Sequence, residues 1–372
     1  MSPRKIWAIA KKEARQASRD PLSLAMLLGL PTIMLLMYGY AINFDVRHVR
    51  LAVRDLDKTE ESRSLVAAFV NSTYFDQVAD VPAGSDVDLI TERRVAKAVL
   101  AIPEGFSDRL AKGETSQVQL LIDGADANTA TTILGYATAL AADTNLRRFS
   151  DRTGVEVVPV DYEPRVFYNP ELRTTQFLVP GLMGFILMLT AVVSTALSVV
   201  REKERGTMEQ LRVTSLTPGE LLIGKTLPYL AISLMATVII LTAARVLFGV
   251  VIRGSYLDLF IATLIYLVGA LGWGLFVSSV AETQALAFQI GMVSSMLPAI
   301  FLSGFIFPIR SMPTIIQVIT HAVPARYFLV IVRGVILKGA GLGPYWQDLA
   351  FLALYATIVL TMAYTRLRRR EI

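Results

Sequence analysis

The sequence is divided by apolar runs about as long as a bilayer is thick. A helix needs about 20 apolar residues to cross roughly 30 Å of hydrocarbon. Residues 22–42, 177–200, 227–252 and 257–280 each meet this length, and so does 346–365 with its flanks. Residues 285–307 are interrupted by Pro298 but are long enough. The expected fold is therefore mainly α, a polytopic membrane protein with six transmembrane helices.

Hydrophobic residues make up 53% of the 372-residue chain. That is too apolar for a soluble protein and too polar for spans alone, so a water-exposed part is required. Residues 43–173 supply it. VRLAVRDLD (49–57), KAVLAIPEGF (97–106) and SQVQLLIDGAD (116–126) read as strands. ESRSLVAAFVNST (61–73), FSDRLAKGE (106–114) and the stretch 128–150 read as helices. The alternation predicts an α/β domain inserted between the first and second spans.

Orientation follows from lysine and arginine. They crowd residues 1–20, 201–212 and 366–372. Six spans place all three clusters in the cytoplasm, with 43–173 and 308–345 outside. Residues 1–20 predict a cytoplasmic amphipathic helix lying in the interface, with Ile6, Trp7, Ala10, Ala14 and Ala17 near one face. Residues 308–345 are broken by Pro308, Pro313, Pro324 and Pro344 and predict an outer re-entrant or interfacial helical pair. Net charge is +5, and its placement beside apolar runs fits lipid headgroups rather than nucleic acid. With no cysteine and two histidines, thiolate chemistry is excluded, and neither a metal site nor any other cofactor is expected.

REKERGTMEQLR (201–212) follows the second apolar run directly and mixes both signs of charge. Topology needs only positive residues, so the acids point to a docking surface for another protein. Its side chains are expected to face water, with Gly206 and Thr207 breaking the helix and Thr207 capping a short one that starts at Met208. GELLIGKT (219–226) matches the phosphate-loop pattern in full. Its internal Glu, Leu, Leu and Ile would crowd a phosphate, and an apolar run follows at once. It is read as coincidence, with Lys225 at the cytoplasmic end of the third span.

REKERGTMEQLRVTSLTPGELLIGKTLPY (201–229) and LSGFIFPIRSMPTIIQVITHAVPARYFLVIVRGVILKGAG (302–341) resemble the corresponding segments of type-2 ATP-binding-cassette (ABC) exporter permeases, in the bacterial drug and small-molecule branch. The likeness extends along essentially the whole chain, with Ser215 standing where proline is common. It implies a membrane permease subunit that is not itself an enzyme and that exports a drug or small amphipathic molecule across the cytoplasmic (inner) membrane, with both termini cytoplasmic. The implied partners are a cytoplasmic ABC ATPase, a second permease protomer (a copy or a close homologue), membrane lipids and a periplasmic adaptor. In the coupling loop 201–219, Glu202, Lys203, Glu204, Arg205, Gly206, Thr207, Glu209 and Gln210 match the ATPase-coupling motif. Thr190, Ser194 and Ser198 form a polar stripe on the second span, and Gln289, Met292 and Ser295 a mixed surface on the fifth. All six are candidates for a substrate path, although small residues also pack helices. A scaffold or sensor that binds ligands through the outer domain is the alternative class. A secondary transporter fits less well, because the apolar cores lack carboxylates.

Overall fold

The computed structural model describes residues 1–41, 46, 48–85, 90, 93, 95–125, 127–153, 168–169, 173–207 and 216–370. The chain forms two compact units, Met1–Asn43 with Val166–Ile372, and Phe44–Arg165.

The helical unit contains α1 (Pro3–Ser18), α2 (Pro21–Ala41), α6 (Thr174–Glu204), α7 (Pro218–Phe248), α8 (Tyr256–Val280), α9 (Gln284–Phe301), α10 (Thr314–Ile319), α11 (Pro324–Arg333) and α12 (Trp346–Arg370). Five helices are long and apolar enough to cross a membrane: α6, α7, α8, α9 and the helical stretch Gly343–Arg368. The bent pair Thr314–Ala322 and Pro324–Lys338, angled at 85°, makes up to six if taken as one span. The helix α2 has 21 residues, but its apolar described stretch is Leu27–Tyr40. The helix α6 is buried along most of its length and forms the centre of the packing. Small residues set the close approaches: a Cβ on Gly274 would lie 2.5 Å from the Val192 carbonyl of α6, and one on Gly269 would meet Tyr355 of α12.

Several boundaries differ from the hydropathy reading. The third span begins at Pro218 rather than at 227, because the polar residues of its first turns are covered by α1. It ends at Phe248, with Gly249 at φ +64°. The fifth helix stops at Phe301, short of 307. Within 308–345 lies the bent pair Thr314–Ala322 and Pro324–Lys338, and Arg333 pins it. Its guanidinium donates to the carbonyls of Gly304 (3.1 Å) and Phe305 (3.3 Å) and lies 3.7 Å from the centre of the Phe177 ring.

The second unit holds β1 (Val49–Asp55), β2 (Phe75–Asp80), β3 (Ala98–Ile102) and β4 (Gln119–Ile122), with α3 (Glu60–Val70), α4 (Phe106–Ala111) and α5 (Ala127–Thr153). Strand order is β2-β1-β3-β4, parallel except for the antiparallel pair β3–β4. The edge strand β2 was not foreseen, because FDQVAD is mostly exposed and carries little apolar alternation. The carboxylate of Asp57 accepts from the backbone amides of Phe106 and Ser107, both at 3.0 Å, and so caps α4 across the fold. The Thr59 hydroxyl, with those amides, holds this carboxyl below its usual range. Replacing Asp57 by Ala should speed amide exchange in α4. In the wild type the cap is present above the usual carboxylate range and is lost as pH falls through the lowered folded value. A wild-type α4 exchange rate that ignores this acid range would remove Asp57 as its cap.

Candidate functional site

Three helix ends converge on the charged segment that closes α6. The helix does not stop at its apolar residues but continues through Arg201–Glu204. Each of these charges is spent on a neighbour. Arg201 pairs with Asp20, just before α2, at 3.2 Å. Lys203 donates to the carbonyls of Ser278 and Ala281 (the latter at 3.3 Å), where α8 ends. Glu204 accepts from the backbone amide of Gln284 (2.7 Å) and from its side chain, where α9 begins. A cation at a helix C-terminus and an anion at the next N-terminus complement both dipoles. Adjacent residues of opposite sign thus straddle one interhelical turn.

Glu202 points the other way, into a buried cluster. It is 3% exposed and Lys225 is 2% exposed. The Lys225 ammonium donates to Glu13 of α1 at 2.8 Å. It lies 2.6 Å from the second Glu202 oxygen, charge to charge rather than through a directed hydrogen bond. Lys12 closes the group by donating to Glu202 and lying 3.5 Å from Glu13. Two carboxylates and two ammonium groups therefore join α1, α6 and α7. A second tie lies one turn away, where the α1-side amide of Ser2 donates to Glu220 at 2.6 Å. Glu220 and Thr217 form a reciprocal capping box at the start of α7.

This geometry accounts for GELLIGKT. All eight residues are helical, so no loop is available to cradle a phosphate. A Cβ on Gly219 would overlap Met1, and one on Gly224 would lie 2.7 Å from Ile9. The two glycines let α1 lie against α7, and the lysine neutralises the acids buried there. Of the expected apolar face of α1, Ala10 is buried in this contact. The helix's buried residues are Ile9, Ala10 and Glu13, while Trp7 is 68% exposed. Apolarity alone could not locate a face that includes a paired glutamate.

After Glu204, Gly206 sits at φ +69° and terminates α6, with Arg205 and Gly206 exposed. Thr207 is half-buried and donates to the Glu202 carbonyl at 3.3 Å. The expectation that the whole segment faces water is corrected at Glu202, which is buried against Lys225. Glu209, Gln210 and the expected helix at Met208 lie outside the described residues.

This chain matches the family described as ABC-2 family transporter protein over residues 22–365. It is an ABC-2 family permease. It is 30% identical to the probable multidrug ABC transporter permease YbhS of Escherichia coli K12, across 100% of this chain and 98% of that protein. The probable multidrug permease YbhR of the same organism is 29% identical, covering 98% of this chain and 99% of its own. The inner membrane transport permease YhhJ is 24% identical, covering 98% and 97%. ABC-2 membership makes the chain the multi-pass permease subunit of an ABC exporter, a family that works with an ATPase and in a dimeric arrangement.

The substrate-path candidates of this permease divide in two. The hydroxyls of Thr190, Ser194, Ser198 and Ser295 each donate to a carbonyl of their own helix. Ser194, Ser198 and Ser295 are buried, Met292 is half-buried and Gln289 is exposed. The sequence pattern missed Glu13 and Lys12 entirely, since their partners are about 190 to 212 residues away. The full phosphate-loop match was the one signal that marked Lys225.

Proposed function

We propose that this permease moves a drug or small amphipathic molecule outward across the cytoplasmic membrane, with ATP hydrolysed by a separate subunit that docks on the turn after α6. The observation that carries the reading is the convergence of helix ends. The segment 201–204 holds the ends of α8 and α9, the approach to α2, and, through Lys225, both α1 and α7. A displacement at Gly206 is thereby delivered to the membrane helices as a group, which is what a two-state change of access needs. Arg205, Gly206, Thr207, Glu209 and Gln210 form the docking element, and Glu202, Lys203 and Glu204 brace it from behind. The multidrug names of YbhS and YbhR support the class of cargo. Two copies, or this chain and a homologue, enclose the path, with Gln289 and Met292 the candidates that keep exposed surface. The unit 44–165 lies on the outer side, where an adaptor would meet it.

The chain has no cysteine, so single cysteines report cleanly. Thr115, Ser311, Ser18 and Arg205 are exposed positions. Cysteines at Thr115 and Ser311 should react with an impermeant thiol reagent in intact cells. Those at Ser18 and Arg205 should react only after permeabilisation, and the one at Arg205 should be shielded when the ATPase is bound. Labelling of Ser18 in intact cells overturns the orientation, and an Arg205 position that stays fully reactive in the complex overturns the docking.

A further inference from the structure

The helical unit contains a partly open cavity of about 520 Å³, lined from α6, α8, α9, the bent pair and α12. Its size falls in the range of drug-sized ligand pockets, about 300–1,000 Å³. Trp273, Tyr327, Phe351 and Tyr355 supply aromatic walls, and Met188 and Met362 supply adaptable ones. Among the described residues, its lining contains no Asp, Glu, Lys or Arg.

One part of the wall is polar by construction. Pro298 stands inside α9 and also lines the cavity. Proline has no N–H, so the ladder donor for the carbonyl four residues earlier is missing. That carbonyl belongs to Ser294, another lining residue. The Ser294 hydroxyl accepts from the Trp273 indole N–H at 3.0 Å, which leaves its own proton to donate. An acceptor and a donor therefore sit together on a largely apolar wall, where water is scarce and unmet polar groups are costly.

We infer that this cavity is a binding site, within a single protomer, for an uncharged aromatic amphiphile that carries one hydrogen-bonding group. The inference rests on the exporter reading for its biological sense but not for its physics. The aromatic body meets the Trp and Tyr faces, and the polar group meets Ser294. A charged molecule is disfavoured, because the lining holds no Asp, Glu, Lys or Arg and the Nδ1 of its one histidine, His321, is turned to the Gln317 carbonyl and the Arg326 guanidinium. An acyl chain would fill the volume but would leave the Ser294 pair unmet. A second copy of the chain would have to present a polar atom at that point.

Trp273 makes the site observable. The chain has three tryptophans, so Trp7→Phe with Trp346→Phe leaves Trp273 as the only indole. The full chain in lipid nanodiscs is titrated with dansylamide, whose neutral naphthalene sulfonamide accepts energy from indole, and in parallel with the anionic dansyl sulfonate. Saturable energy transfer is expected from dansylamide and not from the sulfonate. Ser294→Ala should weaken dansylamide by about fivefold, the worth of one net hydrogen bond. Ala322 and Ile358 are exposed lining residues, so Ala322→Phe with Ile358→Phe should obstruct the cavity without disturbing the core. Equal transfer from both dyes, or transfer unchanged by the double variant, overturns the site and leaves lipid partitioning as the cause. Exclusion of the dye together with loss of a dimer in the double variant overturns it in favour of a second copy. Transport is measured separately with the ATPase. Export without dansylamide binding refutes this site and spares the exporter reading, whereas binding without export of any drug does the reverse.

Discussion

Lys225→Ala is expected to destabilise the helical unit by about 3–5 kcal/mol, the usual cost of removing one partner from a buried ion pair. The reason is the imbalance it leaves. Glu13 is 2% exposed and Glu202 is 3% exposed, and Lys12 alone would have to serve both carboxylates. The visible event should be release of α1 from α7, read as faster amide exchange over residues 3–18 and a lower unfolding temperature in detergent. Adding Glu13→Gln should recover much of the loss, because Glu202 and Lys12 remain as a neutral pair. Nucleotide binding by the isolated chain should be the same before and after the change, since GELLIGKT is a helix buttressed by α1. Magnesium-dependent ATP binding that disappears with Lys225 would restore the phosphate-loop reading. A Lys225→Ala protein as stable as wild type would show that the cluster contributes nothing to holding α1.

Gly206→Val is the second variant with a large expected effect. Its φ of +69° places the residue in the left-handed region, which costs a non-glycine residue about 1–3 kcal/mol. A valine is worse placed than most, because its branched Cβ narrows the backbone further. Among the described residues, no neighbouring atom lies within 4 Å of a Cβ there, so against them the strain is conformational rather than steric crowding. The cheapest relief is to move the turn itself, which is the part proposed to dock. The variant should insert normally yet co-purify poorly with the ATPase, or hydrolyse ATP without stimulation by substrate. Gly206→Asn should be milder, since asparagine visits this region. Normal association and coupling in the valine variant would show that the turn is only a boundary of α6.

Neighbouring charges in this region have different consequences. Arg205 lies on the open side of the turn, so its loss should be felt in binding rather than folding. Glu202, three residues earlier, is part of the fold. Residues 201–205 are similar in composition, and only their angular position around the end of α6 separates the two roles.

Much of the architecture was legible from residue order. The apolar runs are set by the thickness of hydrocarbon, so the rough positions of α6, α7, α8, α9 and α12 follow from hydropathy, while of the expected first span only Leu27–Tyr40 reads as an apolar helix. The strand–helix alternation of 49–150 follows from local periodicity, and the bend before α11 from Pro324. The mixed-charge segment was correctly marked as unusual. The partners of its charges were not legible. Which carboxylate meets Lys225, which carbonyls receive Lys203, and which face of α1 is buried depend on contacts between residues distant in the chain. Burying a charge is unfavourable in any local reading and becomes acceptable only when the fold brings its counter-charge within about 3 Å. The α9 cavity has the same origin, since Pro298 is visible in the sequence but the space beside Ser294 exists only once α8, the bent pair and α12 surround it. The sequence determined a membrane permease with a charged turn after its second long apolar run; the tertiary structure decided that most of that turn's charges hold helix ends together, because Coulomb attraction and hydrogen bonds act over distances in space, not along the chain.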